Sequence, residues 1–167
     1  MYYCSMYCFE TKIRVRYGET DQMGFVYYGV YAQYFEVGRV ELLRSLGVDY
    51  KSLEEEGYFL PVVNLEVQYK KPALYDNELI IKTTIKEMPS ARIKFYYETF
   101  NMGNELLNTA KVVLVFIDKK TKNPCLPPNI ITDKLKKKFQ KQDESNNFPF
   151  FIIHPVLKHI AILRCVK

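Results

Sequence analysis

Histidine is almost missing from this chain. Only His154 and His159 occur, both in the terminal segment after Asn147, so a Ser-His-Asp or Cys-His nucleophile would have to take its base from outside the main body of the sequence. The same scarcity removes the usual zinc ligand sets, and no G-x-G-x-x-G or G-x-x-x-x-G-K-[ST] loop stands ready to cradle phosphates. The four cysteines, Cys4, Cys8, Cys125 and Cys165, include no C-x-x-C pair, which argues against a metal centre or a disulfide framework. No apolar run reaches the length of a membrane span, and MYYCSMYCFE lacks the basic and apolar regions of a secretory signal, so the expected location is the cytoplasm. Any catalysis is expected to rest on a carboxylate, a backbone dipole, or both.

Charge is present but unevenly placed. The net charge is +5. Residues 1–118 carry three more acids than bases and residues 119–167 eight more bases than acids. The basic run Lys134, Lys136, Lys137 and Lys138 has the spacing of a solvated helix face and no interleaved aromatics, so nucleic acid is not an expected partner. The length and the hydrophobic share of 48% suit one globular domain.

The patterning points to an α+β class. Thr11–Tyr17 alternates Ile13, Val15 and Tyr17 against basic residues, the signature of a half-buried strand. From about Val30 to Leu46, Tyr31, Phe35, Gly38, Leu42 and Leu46 recur at three and four residues, which predicts a helix that Gly47 closes. A short second helix is expected from Asp49, a good N-cap, to Gly57. Pro61–Tyr69, Leu79–Glu87, Arg92–Phe100 and Leu106–Asp118 read as four successive strands in an antiparallel meander, and Ile131–Gln140 as a basic helix. One strand, a long helix and four more strands imply a sheet curled around the apolar stripe of the helix.

Asp21 lies on a loop between the first strand and that helix, in GETDQMGFVYYGVYAQYFEVGR. A carboxylate upstream of a helix start can act as base or nucleophile while the open N–H groups of the first turn receive a developing oxyanion. It can equally make an Asx-turn and nothing more. Glu36 and Arg39, three apart on the helix, read first as a surface or interface pair, with Glu36 as a second carboxylate the minor reading.

The run RYGETDQMGFVYYGVY with FEVGR, followed by LPVV, YKKPALYDNEL and PSAR, resembles the hotdog-fold acyl-CoA thioesterases of the 4-hydroxybenzoyl-CoA thioesterase type, over about Thr11 to Asp118. The resemblance implies a five-stranded antiparallel sheet wrapped around a long central helix, over residues 9–140, with a C-terminal extension of unassigned role over 141–167. It implies dimers joined along sheet edges, often paired into tetramers, with active sites between subunits. The family's aspartate falls on Asp21 and its thioester-polarising backbone N–H on Tyr28, with Gly29 beside it. Many relatives have histidine at the position of Tyr28 and asparagine at that of Val30; a backbone donor survives the first change. For CoA, Lys71, Ser90 and Arg92 are the candidates at turns flanking strands, with Lys70 and Lys94 also near. The expected activity is hydrolysis of an acyl or aryl thioester of CoA or acyl-carrier protein, with no metal and no cofactor beyond the CoA of the substrate. A hotdog dehydratase would want a histidine that this region lacks. A non-catalytic acyl-ligand-binding protein is the alternative of another class.

Overall fold

The computed structural model describes residues 6–146, with side chains as far as Gln140. The apolar tail 148–167 lies outside the described residues. Seven strands and three α-helices follow in the order β1 (Tyr7–Arg14), α1 (Tyr31–Ser45), α2 (Tyr50–Glu55), β2 (Tyr58–Phe59), β3 (Val62–Tyr69), β4 (Glu78–Ile85), β5 (Arg92–Asn101), β6 (Leu106–Val115), β7 (Ile117–Asp118) and α3 (Asn129–Asn146). Five strands form one antiparallel sheet in the order β1-β4-β5-β6-β3, and β2 pairs with β7. The sheet curls around α1, the hotdog arrangement.

The helix stripe is placed as its periodicity dictates. Tyr31, Phe35, Leu42 and Leu46 are buried, together with Tyr34 and Leu43, against Ile81, Phe95, Tyr97 and Leu114 of the sheet. Complete burial of Phe35 alone contributes about 2–3 kcal/mol. Gly38 brings the helix close to β4, since a Cβ there would come within 2.6 Å of Thr83 Oγ1 and 3.1 Å of Ile81 Cγ2. Gly47, at φ +74°, closes the helix, and the Asp49 side chain accepts the Ser52 N–H to open α2.

Several boundaries and one strand pairing differ from the sequence reading. The first strand starts earlier and ends at Arg14 rather than Tyr17, because Val15 N–H bonds Asn77 O and residues 17–19 wind into a 3-10 turn. The expected strand Leu106–Asp118 breaks at the buried Phe116, and its last two residues turn away to pair with β2. The last helix runs on to Asn146. The meander holds only for β4, β5 and β6; β3 pairs with β6 at an outer edge. The reason lies in the connection 71–77, which docks on the Asp21 loop through Val26 N–H to Ala73 O (2.9 Å) and the Phe25–Leu74 bridge instead of folding back as a hairpin.

The two free edges are treated differently. On β1, Lys12 and Arg14 pair with Glu78, and the last helix lies alongside, with Lys138 Nζ 5.3 Å from the centre of the Tyr7 ring. On β3, Val62, Val63, Leu65 and Tyr69 remain between 43% and 50% exposed. Among the described residues, no strand pairs with its outer side.

Candidate active site

The loop after β1 is a small closed turn. Thr20 and Val26 form a bridge, Asp21 N–H bonds Phe25 O, and Gly24 N–H bonds Asp21 O, with Gly24 at φ +77° making the reversal that a side chain would resist. Asp21 Oδ1 accepts the N–H groups of Met23 (2.8 Å) and Phe25 (3.3 Å). The Asx-turn is therefore real, yet it uses one oxygen. Oδ2 accepts no hydrogen bond among the described residues, and Asp21 lines a pocket of about 320 Å³ with Phe25, Tyr28, Tyr31, Tyr69 and Lys71.

A 3-10 turn, Tyr28–Val30, leads straight into α1, and no side chain caps it. Serine, threonine, aspartate or asparagine would normally satisfy the first donors; here Tyr27 stands in that place, and among the described residues nothing accepts the Tyr28 and Gly29 N–H groups at the positive end of the helix dipole. The Tyr69 hydroxyl donates to Tyr28 O at 2.9 Å. That bond fixes the Tyr28–Gly29 peptide, whose N–H must then point the opposite way across a trans amide. Tyr31 packs below, its ring 5.5 Å from that of Tyr69, and burial pushes its hydroxyl up to about 12.

Glu19 lies behind the loop, buried. Its carboxylate accepts Arg16 N–H (2.7 Å), Arg16 Nε (2.8 Å), Arg16 Nη2 (2.5 Å) and the Tyr34 hydroxyl (2.6 Å), and its backbone oxygen accepts Tyr27 N–H (2.9 Å). Burial pushes the carboxyl up, but the hydrogen bonds of Arg16 and Tyr34 outweigh it and hold the group below the ordinary range. A lowered carboxylate stabilises the fold above the unfolded value of about 4.3 and loses that contribution as pH falls through the lower folded value. We therefore expect the thermal midpoint of Glu19→Gln to lie below that of the parent at pH 7, and the gap to narrow on acidification below about pH 4. A pH-independent gap would mean that the charge contributes nothing.

The structure brings Asp21, Tyr28 and Lys71 to one pocket at one end of the sheet; Gly29 follows Tyr28 in the chain but is not among the residues that line it. Lys71 and Lys70 line the pocket, with the Lys71 ammonium ion-paired to Glu105. Ser90 and Arg92 are exposed on the β4–β5 turn. They stand at the opposite end of the sheet, on the order of 30 Å from Asp21 by strand length. Lys94 is paired with Glu87 near that same turn. Of the pair expected at the surface or an interface, Glu36 is exposed but Arg39 is 8% exposed within the single chain. The Glu36 bond at 3.3 Å reaches it from solvent, while Tyr97 and Tyr50 face its guanidinium from the core. Sequence reasoning gives Glu19, Tyr34 and Tyr69 no role in the site. The Arg16-x-x-Glu19 spacing was the available signal for the first.

Two comparisons of sequence and one of structure bear on this geometry. The thioesterase-like superfamily model matches residues 15–139. YneP of Bacillus subtilis is 35% identical over 71% of this chain and 86% of its own length. The acyl-CoA thioester hydrolase YbgC of Escherichia coli is 34% identical over 75% of this chain and 94% of its own. The DHNA-CoA thioesterase of Staphylococcus aureus has a solved structure that superposes with a TM-score of 0.73 at 34% identity, covering 84% of this chain and 93% of that one. A match over most of the chain, at such identities and with the same fold, places this protein in a family of enzymes: the chain belongs to the thioesterase-like superfamily.

Proposed function

We propose that this protein is an acyl-CoA thioesterase that hydrolyses an acyl or aryl thioester to the free acid and CoA. The observation that carries the reading is the pairing, in one aromatic-lined pocket, of a carboxylate with one oxygen uncommitted and a helix start with uncapped donors. The thioester oxygen sits against the Tyr28 and Gly29 N–H groups, which stabilise the negative charge that develops there. Two routes use the same atoms. In one, Asp21 Oδ2 attacks the carbonyl carbon, CoA leaves as thiolate, and water hydrolyses the acyl-aspartate. In the other, Oδ2 takes a proton from the water that attacks. The names of YbgC and of the Staphylococcus aureus enzyme support the substrate class. Acyl-carrier-protein thioesters share the reacting group, and metabolism of either thioester fits a cytoplasmic setting.

The pocket of about 320 Å³, with Tyr69 of β3 in its wall, holds only part of such a substrate. An eight-residue edge strand with apolar side chains and one charge, Glu66, is an association surface. Antiparallel pairing of β3 with β3 of a second copy sets the Tyr69 end of one chain beside the Val62 end of the other. It thereby sets one Asp21 near the partner's turn that carries Ser90 and Arg92, which gives those residues a place at the CoA end of the site. A dimer is the smallest competent unit, and a tetramer is a pair of such dimers.

A panel of acetyl-, medium-chain acyl- and aroyl-CoA, assayed for free thiol, tests the activity. Release of CoA from at least one member with saturable kinetics is expected. Tight binding without release across the panel would replace hydrolysis by the acyl-binding reading.

A further inference from the structure

We propose that Glu19 is the positioning residue of this site, fixing Asp21 and the Tyr28 peptide relative to one another through its bonds to Arg16, Tyr34 and Tyr27. The proposal builds on the thioesterase reading above and concerns a carboxylate that the chemistry does not use.

Glu19 is not placed to meet substrate, because it is 7% exposed and both of its carboxylate oxygens are taken up by Arg16 and Tyr34. What it touches are the parts that must be held in register. Arg16 follows the end of β1, so the two-pronged bond to its guanidinium and the bond to its N–H fix where the loop leaves the sheet. Tyr34 is buried in the first turn of α1, so its 2.6 Å bond ties the loop to the helix itself. The backbone oxygen of Glu19 receives Tyr27 N–H, the residue before the open donors. Two residues on in the chain is Asp21. One residue therefore links the catalytic carboxylate and the oxyanion donors to a common frame, and both are needed within a few tenths of an ångström of their reacting geometry.

An isolated buried carboxylate would be a poor choice for stability alone, since taking a charge out of water costs more than an apolar residue of similar size. Here the charge is met by four donors from two elements, a geometry that specifies one arrangement of the loop rather than merely filling space.

The test uses Glu19→Gln and Tyr34→Phe. The second keeps the ring and deletes only the hydroxyl, so it remains informative if the first fails to fold. Each should lower kcat about tenfold to a hundredfold, with KM within about twofold of the parent, after correction for the folded fraction. Amide exchange at Asp21 and Tyr27 should quicken in both, while the β4 and β5 amides keep their protection. Parental kcat in the folded variants, a loss confined to KM, or unchanged exchange at Asp21 and Tyr27 would each overturn the proposal. If the parent releases thiol from no acyl-CoA, the functional reading fails, and the exchange pattern still decides whether Glu19 orders this loop.

Discussion

Asp21→Asn should yield a folded protein that hydrolyses acyl-CoA at least about a hundredfold more slowly, with KM little changed. The expectation follows from how the two carboxylate oxygens divide their duties. Oδ1 serves the turn, accepting Met23 and Phe25 N–H, and an asparagine oxygen can accept both of those bonds. Oδ2 accepts no hydrogen bond among the described residues, and it is this oxygen of a pocket-lining residue that the substitution turns into an NH2 group with neither charge nor a free lone pair for attack. Asp21→Ala separates the same duties from the other side: it should cost the activity and also about 1–2 kcal/mol of stability, from two turn bonds lost at a partly exposed site. If Asp21 only builds the turn, the Asn variant keeps its turnover per folded molecule and the Ala variant loses only its thermal midpoint. Measuring kcat and melting on one preparation distinguishes the two. An Asp21→Asn enzyme running near the parental rate would remove the mechanism.

How far the sequence could anticipate this site depended on the range of the interactions involved. The α1 stripe was readable because its period is local, and Phe35 and Leu42 are fully buried as the spacing requires. Gly24 and Asp21 announced a turn because an Asx-turn spans only a few residues. Strand alternation marked β3 as a strand but neither its exposure nor its neighbour: Val63, Leu65 and Tyr69 stay exposed on the free edge, and pairing was decided by the docking of 71–77 onto Phe25 and Val26. Glu19 was missed for a related reason: three of its four side-chain hydrogen bonds come from Arg16, three residues back, but the bond that reveals its role comes from Tyr34, fifteen residues on and around a helix turn. Arg39 looked like a surface cation because charge normally avoids burial; Tyr50 and Tyr97, from α2 and β5, give it a polar lining that the helix sequence alone does not contain. The separation of Ser90 and Arg92 from Asp21 was implicit in the hairpin arithmetic. A turn at the far end of two full-length strands cannot reach the other end of the sheet within one chain.

That separation makes the edge of β3 the second place where a single residue should decide activity. Leu65 lies in the middle of the strand, opposite Val112 of β6, yet it is 43% exposed and is not among the residues packed on the core. A lysine there can extend its stem over the sheet and keep its ammonium in water, so Leu65→Lys should fold as a monomer without strain. Association is another matter. A two-fold β3–β3 contact would bury two such ammonium groups near each other without partners, and breaking even one buried charge pairing typically costs about 3–5 kcal/mol. Dissociation should therefore be favoured by at least about a hundredfold. Light scattering at micromolar concentration should find a dimer or tetramer for the parent and a monomer for the variant. Thiol release should fall with the dimer, because in the proposed dimer the second copy sets its turn with Ser90 and Arg92 beside the Asp21 pocket. Leu65→Met, which keeps the apolar area, should retain both. A Leu65→Lys monomer with parental turnover would show that the site is complete in one chain, while a variant that stays oligomeric and active would move the subunit contact away from β3 altogether.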